Sequence, residues 1–362
     1  MRFYFSFILI LLFFSSSIAE LKVGRISSTE EVDIQHLLQL GAEILSDESK
    51  DFIDIIFDDD VEADIIDAGY SISDVHPFAK TGLTDLDPEY HTLEEYFEEL
   101  QTLAAAYPDL CKLDSIGRAE QFERTIWCMK LSDNPQIEED ETALLYVGVH
   151  HACEVMGGET IMYMINLFLE NYGIDPEITF WLDNYEIFFV PVVNPDGYFA
   201  VTDSISLFWR KNANDTNNNG IFYEVWGGTW WNDDTDGVDL NRNYDWYWNM
   251  GGAGGPLNYY YRGESAFSEH ETQAIRDLGL QQNFLCDVSF HSYGEVVIHP
   301  WNFQSNPAPD QAVLDEVAEG IASGIIKDNG GFYNTSIYDA QSGQCRNWFY
   351  GNCGTLGFCV EV

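Results

Sequence analysis

Residues 143–154 read ALLYVGVHHACE, an apolar run that passes directly into two histidines, a cysteine and a glutamate. A run of this length and composition predicts a buried β-strand. The polar residues then lie at the carboxyl end of that strand, where open α/β sheets collect their ligand sites. This one stretch therefore predicts a class of fold and the position of a site within it.

Strand-like and helix-like patterns alternate from about residue 90 to the end of the chain. We predict strands over residues 111–116, 124–131, 143–149, 186–193, 287–291 and 357–362, and helices over 92–107, 158–171 and 268–280. Thr92 and Glu95 form a capping-box pattern at the start of the first helix. The alternation predicts an α/β fold with an open mixed, mostly parallel sheet flanked by helices.

Three segments are expected along the 362 residues. Residues 1–19 have one positive charge, an apolar run too short to span a bilayer and a small-residue end, as in a secretory signal peptide. Residues 20–84 predict a small α+β segment, either a pro-segment or an accessory domain, and residues 85–362 a catalytic domain. We therefore expect a secreted or periplasmic, extracellular protein with no membrane span in the mature chain.

The charge balance limits the partners. Sixteen Lys and Arg against 61 Asp and Glu give a net charge of −45. A nucleic-acid surface needs clustered cations that this composition does not supply, so we expect no nucleic-acid partner. Because 46% of the residues are hydrophobic, a sizeable folded core is expected despite the charge.

A possible metal site follows from the first stretch. His151 and Glu154 have H-x-x-E spacing, whereas His150 would give H-x-x-x-E, and neighbouring strand residues point to opposite faces. Only one of the two histidines is therefore expected to bind the metal together with Glu154, and the pattern alone does not settle which one. His291 ends a second apolar strand. Two histidines and a carboxylate are a ligand set of catalytic zinc, and also of iron-dependent oxygenases.

The order of the motifs resembles that of the zinc carboxypeptidases of the A, B and T types. The matching segments are GVHHACE at 148–154, NPDGY at 194–198, GVDLNRN at 237–243 and FHSY at 290–293. The resemblance covers about residue 90 to the end. It implies that His151, Glu154 and His291 bind Zn²⁺, that Asp239 orients the first zinc histidine, and that peptide or protein C-termini are the substrates.

The resemblance also implies the residues that contact the substrate. Asn241 and Arg242 match the pair that holds the terminal carboxylate, a task suited to a guanidinium because it donates two parallel hydrogen bonds. Arg210 matches the arginine that stabilises the oxyanion, and Tyr338 the tyrosine that closes over the substrate. Glu361 occupies the place of the family's general base. Its apolar strand also suits that role, because burial raises the pKa of a carboxyl group. The alternatives are surface ion pairs for the arginines, packing for the tyrosine and a solvated glutamate.

Three features depart from the pattern or extend it. Cys153 stands where the family usually has arginine. The chain ends one residue after Glu361, so we expect a catalytic domain that is incomplete at its C-terminus. Arg346 resembles the pocket-floor position that is apolar in A-type and acidic in B-type enzymes. If its guanidinium is buried in the pocket, the enzyme should prefer C-terminal Glu or Asp; an outward-facing arginine is the alternative.

Residues 215–220, DTNNNG, have the alternating oxygen ligands of a calcium loop, which Asp234 and Asp236 could supplement. Position twelve is Trp226 instead of the glutamate of an EF-hand, so a merely polar loop is the alternative. A second functional hypothesis is a non-catalytic peptide- or glycan-binding relative with the same fold.

Overall fold

The structure is a computed structural model that divides into two compact units, Met1–Thr81 and Gly82–Val362. The residues that it describes are 22–27, 36–37, 40, 42–44, 52–57, 59–77, 86–202, 206–218, 236–301, 307–337 and 342–362. Among these residues, no helix combines the length and the apolar character needed to cross a bilayer.

The described residues of the first unit include a four-stranded sheet and the helix that follows its third strand. Its elements are β1 (Lys22–Ser27), β2 (Glu43–Ile44), β3 (Phe52–Phe57), α1 (Asp59–Asp67) and β4 (Ile72–Pro77). The strand order is β2-β3-β1-β4, and every pairing is antiparallel. Ile55, Phe57 and Ile65 belong to its apolar core.

The second unit is built on an eight-stranded sheet. The strands are β5 (Cys111–Arg118), β6 (Thr125–Leu131), β7 (Thr142–Gly148), β8 (Tyr185–Val190), β9 (Phe284–His291), β10 (Val296–Ile298), β11 (Asn334–Ser336) and β12 (Leu356–Glu361). Their order is β11-β10-β12-β9-β7-β8-β6-β5. The central neighbours β12, β9, β7 and β8 run parallel, while β5, β6 and β10 make antiparallel pairs. The predicted open mixed sheet is confirmed.

Helices flank this sheet, as the alternating pattern predicted. They are α2 (Leu93–Ala106), α3 (Met156–Asn171), α4 (Pro176–Leu182), α5 (Pro195–Thr202), α6 (His270–Gln281), α7 (Gln311–Gly324) and α8 (Cys345–Trp348). Alternate residues of β7 enter two different apolar clusters, Leu144 and Tyr146 in one and Leu145 and Val147 in the other. Because successive strand residues face opposite sides, the sheet is covered on both faces.

The capping box at the start of α2 is confirmed. The Glu95 backbone N–H donates to Thr92 Oγ1 at 3.3 Å, and the Thr92 N–H donates to Glu95 Oε2 at 2.8 Å. Two donors that the helix cannot satisfy internally are thereby paired.

Three neighbouring parallel strands end at the same edge of the sheet. β7 ends at Gly148, β9 at His291 and β12 at Glu361, with β9 between the other two. After β7, the buried Val149 takes a positive φ of 52°, a conformation that β-branched residues rarely adopt. This bend turns the chain out of the strand just before the two histidines. The polar residues that the sequence singles out therefore meet at one edge.

Candidate active site

His151, Glu154 and His291 form a tight, buried cluster at this edge. His151 Nδ1 lies 2.7 Å from Glu154 Oε1, and His291 Nδ1 lies 2.7 Å from Glu154 Oε2. The two Nδ1 atoms are 3.1 Å apart. Three potential ligand atoms from two strand ends thus converge on one small volume.

This donor set fits zinc. Imidazole nitrogen and carboxylate oxygen are both zinc ligands, and two histidines with one glutamate make a catalytic-type set. The other ring nitrogen of His151, Nε2, lies 3.2 Å from Asp239 Oδ1. Metal-bound histidines commonly use their second nitrogen in this way, since the carboxylate fixes the ring and its tautomer.

Asp239 joins the cluster to Arg210. The Arg210 Nε–H donates to Asp239 Oδ2 at 3.1 Å, and Nη1–H donates to Glu154 Oε1 at 3.3 Å. Burial alone would raise the pKa of Asp239, but Arg210 and Arg242 hold it well below its usual range. Asp239 therefore lies between one histidine and one arginine that favour its charged form, and Arg210 lies at the site instead of on the surface.

Glu154 is an anion for a similar reason. Burial opposes its ionisation, yet His151 and His291 hold the pKa of its carboxyl group well below the usual range. Both of its oxygens face ring nitrogens.

The two ring nitrogens of His150 contact Tyr244 and Ser289 instead of Glu154. Its ring is fully buried, with Nε2 2.8 Å from the Tyr244 hydroxyl and Nδ1 3.2 Å from Ser289 Oγ. Burial is the main reason that its pKa is held well below the usual range. Of the two adjacent histidines, His151 is the one that faces Glu154 and His291.

Asn241 and Arg242 lie on a short 3₁₀ turn, Leu240–Arg242, which Asp239 caps by accepting from the Asn241 N–H at 3.0 Å. Asn241 Nδ2 is 3.3 Å from His291 Nε2. The Arg242 guanidinium lies 5.5 Å from the ring centroid of Tyr260. Both residues are buried in the fold, so the alternative of a surface ion pair does not apply to Arg242.

Glu361 lies beside His291 in the register of β9 and β12. The Val362 N–H donates to the His291 carbonyl at 2.8 Å, which fixes the end of the strand. Glu361 as a whole residue is half-buried, and burial raises the pKa of its carboxyl group although His291 opposes the shift. A carboxyl group with a raised pKa next to a metal-ligand cluster is suited to accept and return a proton.

Arg346 points inward. It lies on α8 with 3% of its surface exposed, which excludes the outward-facing alternative. Burial raises the pKa of Asp287 and the Arg346 guanidinium opposes that shift. The same guanidinium also acts electrostatically on His299 and Cys359. Arg346 is therefore a cation held inside the protein, within electrostatic range of Asp287 on β9 and Cys359 on β12.

Several sequence predictions fall on residues outside the described part of the chain. They are Tyr338, the signal segment 1–19, and Asn219, Gly220, Trp226 and Asp234 of the proposed calcium loop. Of that loop, residues 215–218 and Asp236 are described, and Asn217 Nδ2 donates to Asp236 Oδ1 at 3.0 Å. Among the described His, Cys, Asp and Glu residues, no ion-sized group occurs at this loop, so calcium gains no support.

The sequence reasoning missed Ser289 and Tyr244. Ser289 Oγ is 3.0 Å from His291 Nε2 and also contacts His150. Strand alternation could have found Ser289, because residues i and i+2 share a face. For Tyr244, 94 positions from His150, no sequence signal existed.

Comparisons with known proteins agree with this geometry. The model of the zinc carboxypeptidase family, peptidase M14, matches residues 96–362. The chain is 32% identical to carboxypeptidase A1 of Rattus norvegicus over 285 residues, which cover 75% of this chain and 62% of that protein. It is 29% identical to carboxypeptidase B of Astacus astacus over 75% of this chain and 86% of that protein.

The fold has a close counterpart among solved structures. The carboxypeptidase A from Helicoverpa armigera superimposes with a TM-score of 0.77 at 17% identity, covering 95% of this chain and 88% of that one. This likeness concerns the fold. The family match extends over most of the chain and includes every residue of the cluster. This chain belongs to the zinc carboxypeptidase family.

Proposed function

We propose that this protein is a zinc metallocarboxypeptidase that hydrolyses the C-terminal peptide bond of peptides or proteins. One observation carries the proposal: His151, Glu154 and His291 converge at one edge of the sheet. Glu361 and the buried arginines Arg210 and Arg242 lie at the same edge. His151, Glu154 and His291 would hold the zinc. Zinc in such a set supplies a Lewis acid and lowers the pKa of water.

Glu361 is the proposed general base. It accepts a proton from the attacking water and returns it to the leaving amine. Its raised pKa brings it closer to neutral pH, where such an exchange is efficient.

Arg210 is proposed to stabilise the oxyanion. Its guanidinium carbon lies 5.0 Å from the Tyr259 ring centroid, and its Nε and Nη1 atoms are held by Asp239 and Glu154. An orientation fixed before the reaction is what makes such a cation effective, because it needs no rearrangement as charge develops.

Asn241 and Arg242 are proposed to bind the terminal carboxylate, which would make the enzyme an exopeptidase. Arg242 is anchored through Nη1, which donates to the Asn241 carbonyl at 2.8 Å. Tyr338 is proposed to close over the substrate; this role rests on the sequence resemblance alone.

We further propose a preference for C-terminal Glu or Asp. It is supported by the burial of Arg346, since an apolar substrate side chain would leave the guanidinium in contact with a group that cannot neutralise it. Sites that pair with a substrate charge discriminate strongly against analogues that lack it.

Residues 20–84 are proposed to be a pro-segment that is removed from a secreted enzyme. The division between compact units at Thr81 and Gly82 supports a separable segment. N-terminal sequencing of secreted, fully active material tests this: residues from Glu20 onward still attached would contradict it.

The activity is tested with two peptides that differ only at the C-terminus, one a free acid ending in Glu and the other its amide. The free acid should lose single residues in a mass-spectrometric time course, and the amide should remain intact. Equal cleavage of both would contradict an exopeptidase. Zinc-loaded protein that binds the free acid without cleaving it would favour the non-catalytic, peptide-binding alternative.

A further inference from the structure

We propose that His150 is a positioning residue that fixes the ring of His291 through the hydroxyl group of Ser289. The positioning chain consists of His291, Ser289, His150 and Tyr244. It rests on the proposed role of His291 as a zinc ligand, but not on any assignment of substrate.

The chain is continuous and buried. His291 Nε2 lies 3.0 Å from Ser289 Oγ, Ser289 Oγ lies 3.2 Å from His150 Nδ1, and His150 Nε2 lies 2.8 Å from the Tyr244 hydroxyl. None of the four residues is more than 2% exposed. The rings of His150 and His291 are stacked, with centroids 5.7 Å apart and an angle of 14° between their planes.

The direction of the first hydrogen bond follows from the metal-ligand geometry. His291 Nδ1 faces Glu154 and His151, so a neutral ring that binds a cation there carries its proton on Nε2. That N–H needs an acceptor. Asn241 Nδ2, 3.3 Å away, is itself a donor, and its amide is held in this orientation because Oδ1 accepts the Cys345 N–H at 3.0 Å. Ser289 Oγ is the acceptor that this arrangement offers.

The remaining bonds then have one consistent direction. With its oxygen accepting from His291, Ser289 donates its hydroxyl proton to His150 Nδ1. His150 Nδ1 is therefore unprotonated, and its proton lies on Nε2, which donates to the Tyr244 oxygen. Tyr244 in turn is hydrogen-bonded to the Cys345 side chain. His150 thus acts as the acceptor that orients the Ser289 hydroxyl.

Asp239 performs the equivalent task for His151, through a direct contact. The two ligand histidines are therefore held in different ways, one by a carboxylate and one by a hydroxyl group backed by a neutral histidine. Residues that orient metal-bound histidines typically change metal affinity about 10- to 100-fold when mutated.

The test is the zinc dissociation constant of the full chain, measured by competition with a chelator. Ser289→Ala and His150→Leu should each raise it about 10- to 100-fold. The double variant should bind no more weakly than the weaker single variant, because both changes break the same chain. His150→Asn keeps a hydrogen-bond acceptor near the position of Nδ1, whereas His150→Gln keeps a polar group only near the position of Nε2. The Asn variant should therefore bind zinc more tightly than the Gln variant.

Ser132→Ala is the matched control, since it also removes a fully buried hydroxyl group from this unit and should leave the dissociation constant unchanged. Unchanged zinc binding in Ser289→Ala and His150→Leu, or strictly additive losses, would overturn the positioning chain. If His150→Leu fails to fold, zinc binding by Ser289→Ala and the comparison of His150→Asn with His150→Gln test the positioning chain. Wild-type protein that binds no zinc would instead overturn the proposed function.

Discussion

Glu361 lies directly opposite His291 across the parallel pair of β12 and β9. The proposed base and a proposed metal ligand are therefore placed by strand register and not by a flexible loop. A slip of one residue would turn Glu361 to the other face of the sheet. Because the Val362 N–H also donates to the His291 carbonyl, the register is maintained to the end of the strand.

Glu361→Gln should abolish most hydrolysis without releasing zinc. The amide keeps the shape of the side chain but cannot accept the proton, so kcat should fall at least 10²-fold, about the contribution of general acid–base catalysis. Parallel measurements of kcat and bound zinc check this. A Gln variant with near wild-type kcat would show that the base lies elsewhere.

Arg346→Ala should remove the preference for acidic C-termini. Removing the buried cation should lower the ratio of kcat/KM for C-terminal Glu to that for Leu by about tenfold or more. Arg276→Ala is a matched control, because Arg276 is partly exposed on α6 and pairs with the adjacent Asp277. A wild-type enzyme that prefers Leu or Lys, unchanged by the substitution, would refute the specificity proposal.

Asp287 should make stability depend on pH. It is fully buried, neither carboxylate oxygen has a hydrogen-bond partner among the described residues, and burial raises its pKa well above the usual range. The folded state therefore keeps a proton that the unfolded chain releases above its ordinary pKa of about 3.9. The free energy of unfolding that the protonated Asp287 contributes therefore falls as the pH rises from the unfolded-state pKa towards the higher pKa of the folded state.

Asp287→Asn removes that titration, so the variant should be more stable than wild type at pH 8, and the difference should shrink towards pH 4. Thermal unfolding midpoints across this range are the measurement. A variant that is less stable than wild type at pH 8 would mean that the ionised carboxylate stabilises the fold.

The centre of the fold was predictable because its strands are simple apolar runs. β7 and the residues after it form one uninterrupted pattern, and the predicted strand differs from Thr142–Gly148 by one residue at each end. β9 was predicted to begin at residue 287 but begins at Phe284. Asp287 interrupts the apolar run, which hides the fact that Phe284, Leu285 and Cys286 before it belong to the same strand.

The site was predictable where ligands follow a strand closely and unpredictable where they depend on packing. The spacing of His151 and Glu154 is local, so the sequence records it. Whether Arg346 points inward is decided by how α8 packs, which no spacing encodes. The contact of His150 with Tyr244 joins residues 94 positions apart and follows only from the folded arrangement.

The most direct test of the central claim is a titration of metal-free protein with zinc, monitored by release of Glu from a C-terminal Glu peptide. The full chain is assayed before and after limited proteolysis. Activity should be absent without metal, rise with added zinc and saturate at one zinc per chain, and His291→Ala should remain inactive over the same range. Full hydrolysis by the metal-free protein, or restoration by ferrous iron but not by zinc, would contradict the account.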